Sequence, residues 1–220
     1  MNEKTTILIA DDHASIFEPF KFFFETAFKN KKHSFTTVIN CEEAVNEIER
    51  KKLKNSTFDF AVIDISMPGY IEKEIHNGSD LCKYLNQEMP NCKTFINTAI
   101  LENFTLFDLV QNLKPDGIAV KSDMKAEDYI AAFQKIWKGE IFRSSSVDNK
   151  VNEIWGYETL ANETNRTIIT CLANGYKIKE IANELQLTEV SINKRISKIK
   201  KALEINETTI LREVKRRGYV

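Results

Sequence analysis

The sequence has no apolar run approaching the length of a membrane span, and its first residues lack the basic-then-apolar layout of a secretion signal. The expectation is therefore a cytoplasmic protein with no membrane partner. Cysteines are few (Cys41, Cys82, Cys92 and Cys171), and none has a metal-type spacing. That excludes a thiolate zinc site, and since three of them sit in apolar periodic segments, buried thiols in a reducing compartment are expected. Net charge of one sign is missing too, with 31 Lys/Arg against 32 Asp/Glu. The balance is uneven along the chain. Residues 1–150 carry 19 basic and 23 acidic side chains, whereas residues 151–220 carry 12 and 9. An acidic module followed by a basic one fits a chain of 220 residues, which has room for two small domains.

What is present is organised around Phe58 to Gly69, FDFAVIDISMPG. Phe60 to Ile63 has the composition of a strand buried on both faces of a parallel sheet. It ends at Asp64, and burying an unpaired carboxylate is costly. In open α/β sheets ligand chemistry sits beyond the carboxyl ends of the strands, which makes Asp64 a functional candidate. On this strand alone, a cap on the following turn accounts for Asp64 equally well.

The rest of the first 140 residues separates the two readings. Strand patterns at Thr5–Ala10, Phe35–Ile39, the Asp64 strand, Cys92–Asn97 and Gly117–Val120 alternate with helical patterns at 15–30, 41–51, 79–86, 104–112 and 126–138. Five strands alternating with five helices predict a doubly wound parallel sheet covered on both faces. Strand one ends at Asp11-Asp12, strand three at Asp64, strand four at Thr98 and strand five at Lys121. In such a sheet these residues share one edge. Carboxylates converging there repel each other unless a cation is bound, and all-oxygen ligation suits Mg²⁺. A lysine and a hydroxyl opposite supply positive charge and a donor for phosphate oxygens. Together they describe a carboxylate that accepts a phosphoryl group with metal assistance.

The set Asp11-Asp12, Asp64 with Met67-Pro68-Gly69, Thr98-Ala99 and Lys121 resembles the receiver domain of two-component response regulators, over roughly residues 4–140. The resemblance implies a flavodoxin-like α/β fold in which Asp64 accepts phosphate from a cognate histidine kinase. It further implies that Asp12, Asp64 and the Ser66 main-chain carbonyl ligate Mg²⁺, with Asp11 acting through water, while Thr98 and Lys121 engage the phosphoryl oxygens. Two features depart from the pattern. Ile118 stands where an aromatic switch residue is frequent, and the loop after Pro68, carrying Glu72, Glu74 and His76, is longer than usual. A solvated loop is the better reading of that insertion than a second metal site.

Arg143 to Lys150, RSSSVDNK, is polar and serine-rich, and residues 141–157 read as a linker. Helical patterns resume at 162–173, closed by Asn174-Gly175, then at 178–185, and again from an N-cap at Thr188 to about Leu203. Ile192, Ile196, Ile199 and Leu203 form the inner stripe of the last; Asn193, Lys194, Ser197, Lys198 and Lys201 lie outside. Two helices joined by a short turn, the second basic outside, form a helix-turn-helix pattern. A solvated lysine-rich face would look the same.

The wording CLANGYKIKEIANELQLTEVSINKRISKIKKAL, with ILREVKRRGYV at the end, resembles the LuxR-type DNA-binding domain of NarL/FixJ response regulators. That implies a small all-α domain at 158–220, a transcription factor, and a homodimer on DNA when phosphorylated. Base-reading positions fall on Asn193, Lys194 and Ser197, and phosphate-contact positions on Lys177, Lys179 and Thr188; Lys198 joins the backbone contacts. The domain opens with LANETN in place of the family's Leu-Thr-x-Arg-Glu, and Arg195 replaces a frequent histidine. Two rivals remain. A Mg²⁺-dependent phosphatase would use Asp64 as nucleophile, but position 66 is serine where such enzymes place a second aspartate. Alternatively, the C-terminal helices bind a protein partner instead of DNA.

Overall fold

The computed structural model describes residues 4–205 and 209–220. Strands β1 (Thr5–Ala10), β2 (His33–Val38), β3 (Phe60–Ile63), β4 (Lys93–Thr98) and β5 (Gly117–Val120) are all parallel and alternate with helices α1 (Phe17–Ala27), α2 (Cys41–Leu53), α3 (Gly78–Glu88), α4 (Asn103–Asp108) and α5 (Ala126–Trp137). The spatial order is β2-β1-β3-β4-β5-β6. The sixth strand, β6 (Phe142–Arg143), pairs parallel with β5 and corrects the five-strand expectation. By contact the chain forms two compact units, Met1–Ala99 with Leu109–Val147, and Ile100–Asp108 with Asp148–Val220.

In the first unit every residue of β3 is buried, as its unbroken apolar run requires. Between the sheet and helices α1 and α5 lies an aromatic core. Phe24 stacks on Phe133 with centroids 4.2 Å apart, and Phe60 meets Phe24 edge-on at 4.9 Å. Helix α2 starts where the Asn40 side chain accepts the Glu43 N–H at 2.8 Å, while Glu43 accepts the Ile39 N–H at 3.1 Å. Asn77 caps α3 in the same way, taking the Ser79 N–H at 2.8 Å. Cys41, Cys82 and Cys92 are buried as expected, and burial pushes the Cys41 thiol up to about 11 and Cys82 to about 12.

Residues 141–157 are not an aperiodic linker. They form β6 and then helix α6 (Ser145–Trp155). Asp123 provides the cap from a distance. Its carboxylate accepts the Ser146 N–H at 2.8 Å and the Ser144 hydroxyl at 2.6 Å, and Ser144 Oγ accepts the Val120 N–H at 3.1 Å. Val147, Val151 and Ile154 are buried at helical spacing, a stripe diluted by the polar residues between them. A second correction concerns the helix expected over 104–112. Helix α4 ends at Asp108, and Leu109–Leu113 continues as a π-helical turn at the point where the chain returns to the first unit.

The second unit contains helices α7 (Glu158–Ala161), α8 (Glu163–Ala173), α9 (Ile178–Glu184), α10 (Glu189–Ala202) and α11 (Ile210–Arg216). Ile168, Ile181, Ala182 and Ile192 form its buried centre. Gly175, at φ +86°, ends α8 in the left-handed conformation that a side chain resists. Residues 100–108 pack within this unit. The Phe104 ring stacks on Tyr219 at 5.3 Å, and the Asn103 N–H donates to the Gly218 carbonyl at 3.0 Å. Arg166 is 4% exposed. It donates to the carbonyls of Leu160 (3.0 Å) and Ala161 (2.6 Å) and to Asp108 (3.1 Å), with its guanidinium 4.6 Å from the Phe107 ring centroid.

Candidate phosphoacceptor site and helix-turn-helix surface

Strand register brings the chemistry together. Ala10 and Ile96 both stand opposite Ile63, and Thr98 stands opposite Val120. The residues that end β1, β3, β4 and β5 therefore meet at one edge. Asp11 and Asp64 are 1% and 2% exposed there, and Thr98 is fully buried. Lys121 Nζ lies 2.8 Å from an Asp11 oxygen and 2.8 Å from Asp64 Oδ1. Asp64 Oδ2 accepts the Ser66 N–H at 2.7 Å. Burial alone would lower the Lys121 pKa, but its bonds to Asp11 and Asp64 outweigh that and raise it. The ammonium is held charged, and one lysine serves two buried carboxylates.

Asp12 is more open, with Oδ1 2.6 Å from His13 Nδ1. Ligand atoms of Asp11, Asp12 and His13 lie within 4.8 Å of one another, a cluster of ligand type among the described residues. The donor set is rich in hard carboxylate oxygen and carries more negative charge than Lys121 neutralises, which fits a divalent cation. His13 was not singled out from the sequence, although its position directly after Asp11-Asp12 was the available signal. Gly78 was missed as well. A Cβ there would sit 1.8 Å from the Asp64 carbonyl oxygen, so α3 approaches the Asp64 backbone as only glycine permits.

The long loop after Pro68 is ordered. Tyr70 and Ile75 exchange backbone hydrogen bonds of 2.6 and 3.1 Å, Glu74 adopts a left-handed φ of 56°, and Ile75 is buried. Glu72, Glu74 and His76 are exposed, and no metal-type cluster forms there among the described residues.

In the second unit the Thr188 side chain accepts the Ser191 N–H at 3.2 Å and starts α10. Leu187 N–H to Ala182 carbonyl (2.9 Å) and Gln186 at φ 52° form the tight turn from α9. Ile192 and Ile199 are fully buried, while Asn193, Lys194, Ser197 and Lys198 are exposed on one side. Lys177, Lys179 and Thr188 are exposed near the starts of the two helices. The Ser197 hydroxyl donates to the Asn193 carbonyl at 3.0 Å, so it is engaged by its own helix. No helix of the described residues is long and apolar enough to cross a membrane.

No protein-family model matches the chain, and no curated protein matches it. Solved structures do. One is the RcsB response regulator of Salmonella typhimurium, studied for its conformational dynamism in DNA interaction, at 21% identity and TM-score 0.59 over 98% of this chain and 100% of that one. A second is RcsB from Salmonella enterica serovar Typhimurium bound to promoter rprA with the phosphomimetic BeF3⁻, at 19% identity and TM-score 0.63 over 96% and 98%. The isolated REC domain of that RcsB covers 68% of this chain and 99% of its own at 21% identity and TM-score 0.53. The fold is that of a receiver domain followed by a helix-turn-helix domain. At these identities the likeness carries the fold, and the acidic edge and the basic helix must argue the chemistry.

Proposed function

We propose that the chain is a cytoplasmic response-regulator transcription factor, in which phosphorylation of Asp64 by a cognate histidine kinase controls dimerisation and DNA binding. The observation that carries this is the joining, in one chain, of Asp11, Asp64 and Lys121 at a parallel sheet edge to a helix-turn-helix with a basic, polar outer face. The solved RcsB structures bound to promoter DNA with BeF3⁻ support the same pairing of modules.

Asp11, Asp12, Asp64 and the Ser66 carbonyl would hold Mg²⁺. A bound Mg²⁺ supplies positive charge for the oxygens of the transferring phosphoryl group. An Asp64 carboxylate oxygen forms the new O–P bond, the P–N bond to the kinase's histidine breaks, and the nitrogen keeps the bonding pair. Lys121, already at Asp64, pairs with the phosphoryl oxygens, and the Thr98 hydroxyl donates to them. The modification adds between one and two negative charges at an edge that holds one lysine. Dimerisation then places two α10 helices about one turn of DNA apart. Asn193, Lys194 and Ser197 meet base edges, while Lys177, Lys179, Thr188 and Lys198 hold the backbone. The protein acts as a stoichiometric switch and not as a turnover enzyme.

The test joins two measurements. With Mg²⁺ and a small phosphodonor, mass spectrometry should find one acid-labile phosphate on Asp64 and none in Asp64→Asn, whose amide is a poor nucleophile. The phosphorylated wild type should then shift genomic DNA fragments that Asp64→Asn does not. A full equivalent of phosphate on Asp64→Asn overturns the acceptor; phosphorylation without any DNA shift favours a protein partner for the C-terminal helices.

A further inference from the structure

We propose that Arg195, the one arginine of α10, positions the DNA-reading helix and does not itself touch DNA; the inference rests on the DNA-binding reading above. Arg195 is of the residue type that most often reads DNA, although the base-reading positions fall on its neighbours. It stands among Asn193, Lys194, Ser197 and Lys198, and arginine bidentate to guanine is the commonest specific base contact.

The structure gives this side chain another task. Arg195 is half-buried, and its Nη1 donates to Asn165 Oδ1 at 2.9 Å and reaches Asn162 Oδ1 at 3.4 Å. Asn165 is 7% exposed, and its own Nδ2 donates to the Thr159 carbonyl at 2.8 Å. Asn162 caps α8 by accepting the Asn165 N–H at 3.2 Å. A polar chain thus runs from the outer half of α10 to the start of α8 and the end of α7. It crosses a cleft of about 690 Å³ whose other walls include Thr159, Lys194 and Lys198.

The apolar stripe of α10 holds the helix to its domain, but apolar packing is not directional. A guanidinium bonded to a buried amide oxygen is directional, and it resists rotation of the helix about its axis. Asn193, Lys194 and Ser197 keep their outward aim only while that rotation is fixed. LANETN supplies both asparagines, and Arg195 supplies their donor. The two departures from the LuxR-type pattern noted in the sequence therefore form one contact.

The test uses the full chain with Mg²⁺ and beryllofluoride, and a duplex site selected by the wild type from a randomised pool. Affinity for the selected and for a scrambled duplex is measured across a salt series for Arg195→Ala, Asn165→Ala, both together, and Asn165→Asp. Arg195→Ala should lower the ratio of specific to non-specific binding about tenfold, spread over several base positions, with the salt slope unchanged. Asn165→Ala, at a side chain too buried to meet DNA, should do the same, and the double variant should be no worse than either. Asn165→Asp keeps the acceptor for Arg195 but loses the donor to the Thr159 carbonyl, so it should fall between Asn165→Ala and wild type. If Asn165→Ala does not fold, Arg195→Met carries the test through its slope and its per-position pattern.

A slope flattened by about 1 in Arg195→Ala makes Arg195 a phosphate contact and overturns the proposal. So does a preference lost at a single base pair, with Asn165→Ala like wild type, which makes it a reader. A wild type that selects no sequence removes the DNA-binding reading itself, and this inference with it.

Discussion

The sheet edge of the first unit and the start of α8 in the second both enclose charged side chains, and the two enclosures are completed differently. At the edge, Asp11 and Asp64 share Lys121, so two buried carboxylates face one ammonium. On α8, Arg166 is surrounded by two carbonyls, a carboxylate and an aromatic face. The first arrangement leaves surplus negative charge, which suits a divalent cation. The second leaves Arg166 nothing further to recruit. Burial of charge is common to both, and surplus is what separates a site from a strut.

The comparison breaks most sharply at Gly78. Replacing it with alanine places a Cβ on the Asp64 carbonyl, and the Asp64 backbone must move. The expected result is loss of most phosphate incorporation together with destabilisation of about 1–3 kcal/mol or more. Denaturant unfolding and mass spectrometry after phosphodonor treatment check it; wild-type incorporation would show that the edge tolerates displacement. Arg166→Met attacks the opposite side. The carbonyls of Leu160 and Ala161 lose their donor, at about 1–3 kcal/mol for each group left unsatisfied. Phosphate incorporation at Asp64 should be unaltered, so the variant separates structural from chemical charge; a matching fall in incorporation would erase the distinction.

The smallest effect is expected at a half-buried charge, Glu213. Bonds from Arg216 and then Arg217 hold the Glu213 carboxyl down at about 2, from an ordinary 4.5. A depressed carboxyl stabilises the folded state fully above its unfolded pKa and loses that contribution as pH falls through the folded one. Glu213→Gln should therefore be slightly less stable than wild type at neutral pH, with the gap closing between pH 4.5 and about 2. Thermal melts of the pair across that range suffice, and a gap that widens in acid would contradict the assignment. Since Arg216 reaches Glu213 from solvent, screening keeps the effect small.

Much of this was legible in the sequence, for reasons that can be stated residue by residue. Phe60 to Ile63 is a two-face-buried strand by composition, and the strand ends at Asp11, Asp64, Thr98 and Lys121 follow once the parallel order is granted. Thr188 starts α10, and Asn193, Lys194, Ser197 and Lys198 lie exposed along it, as the pattern leads one to expect. What escaped depends on partners far along the chain. The Ser144–Ser146 run became a helix start because it bonds to Asp123, some twenty positions earlier. Residues 100–108 read as receiver but pack with Arg166, Gly218 and Tyr219. Arg195 was noted only as a departure from the family pattern, because its partners, Asn162 and Asn165, lie some thirty positions earlier. Local pattern reports which face of an element is apolar; it does not report which distant side chain completes a polar one.

The two tryptophans of the chain are divided between the units. Trp137 closes α5 in the first, with Lys31 Nζ 4.0 Å from its ring centroid. Trp155 ends α6 in the second, 53% exposed and edge-on to Phe107 at 5.1 Å. Each indole is a built-in optical probe of one unit, one beside a cation and the other partly in water. A pair of single-tryptophan proteins, Trp137→Phe and Trp155→Phe, would follow the melting of each unit in the intact chain. Coincident emission transitions would mean that the two units unfold as one cooperative block, and separated ones that the chain can lose one unit while keeping the other.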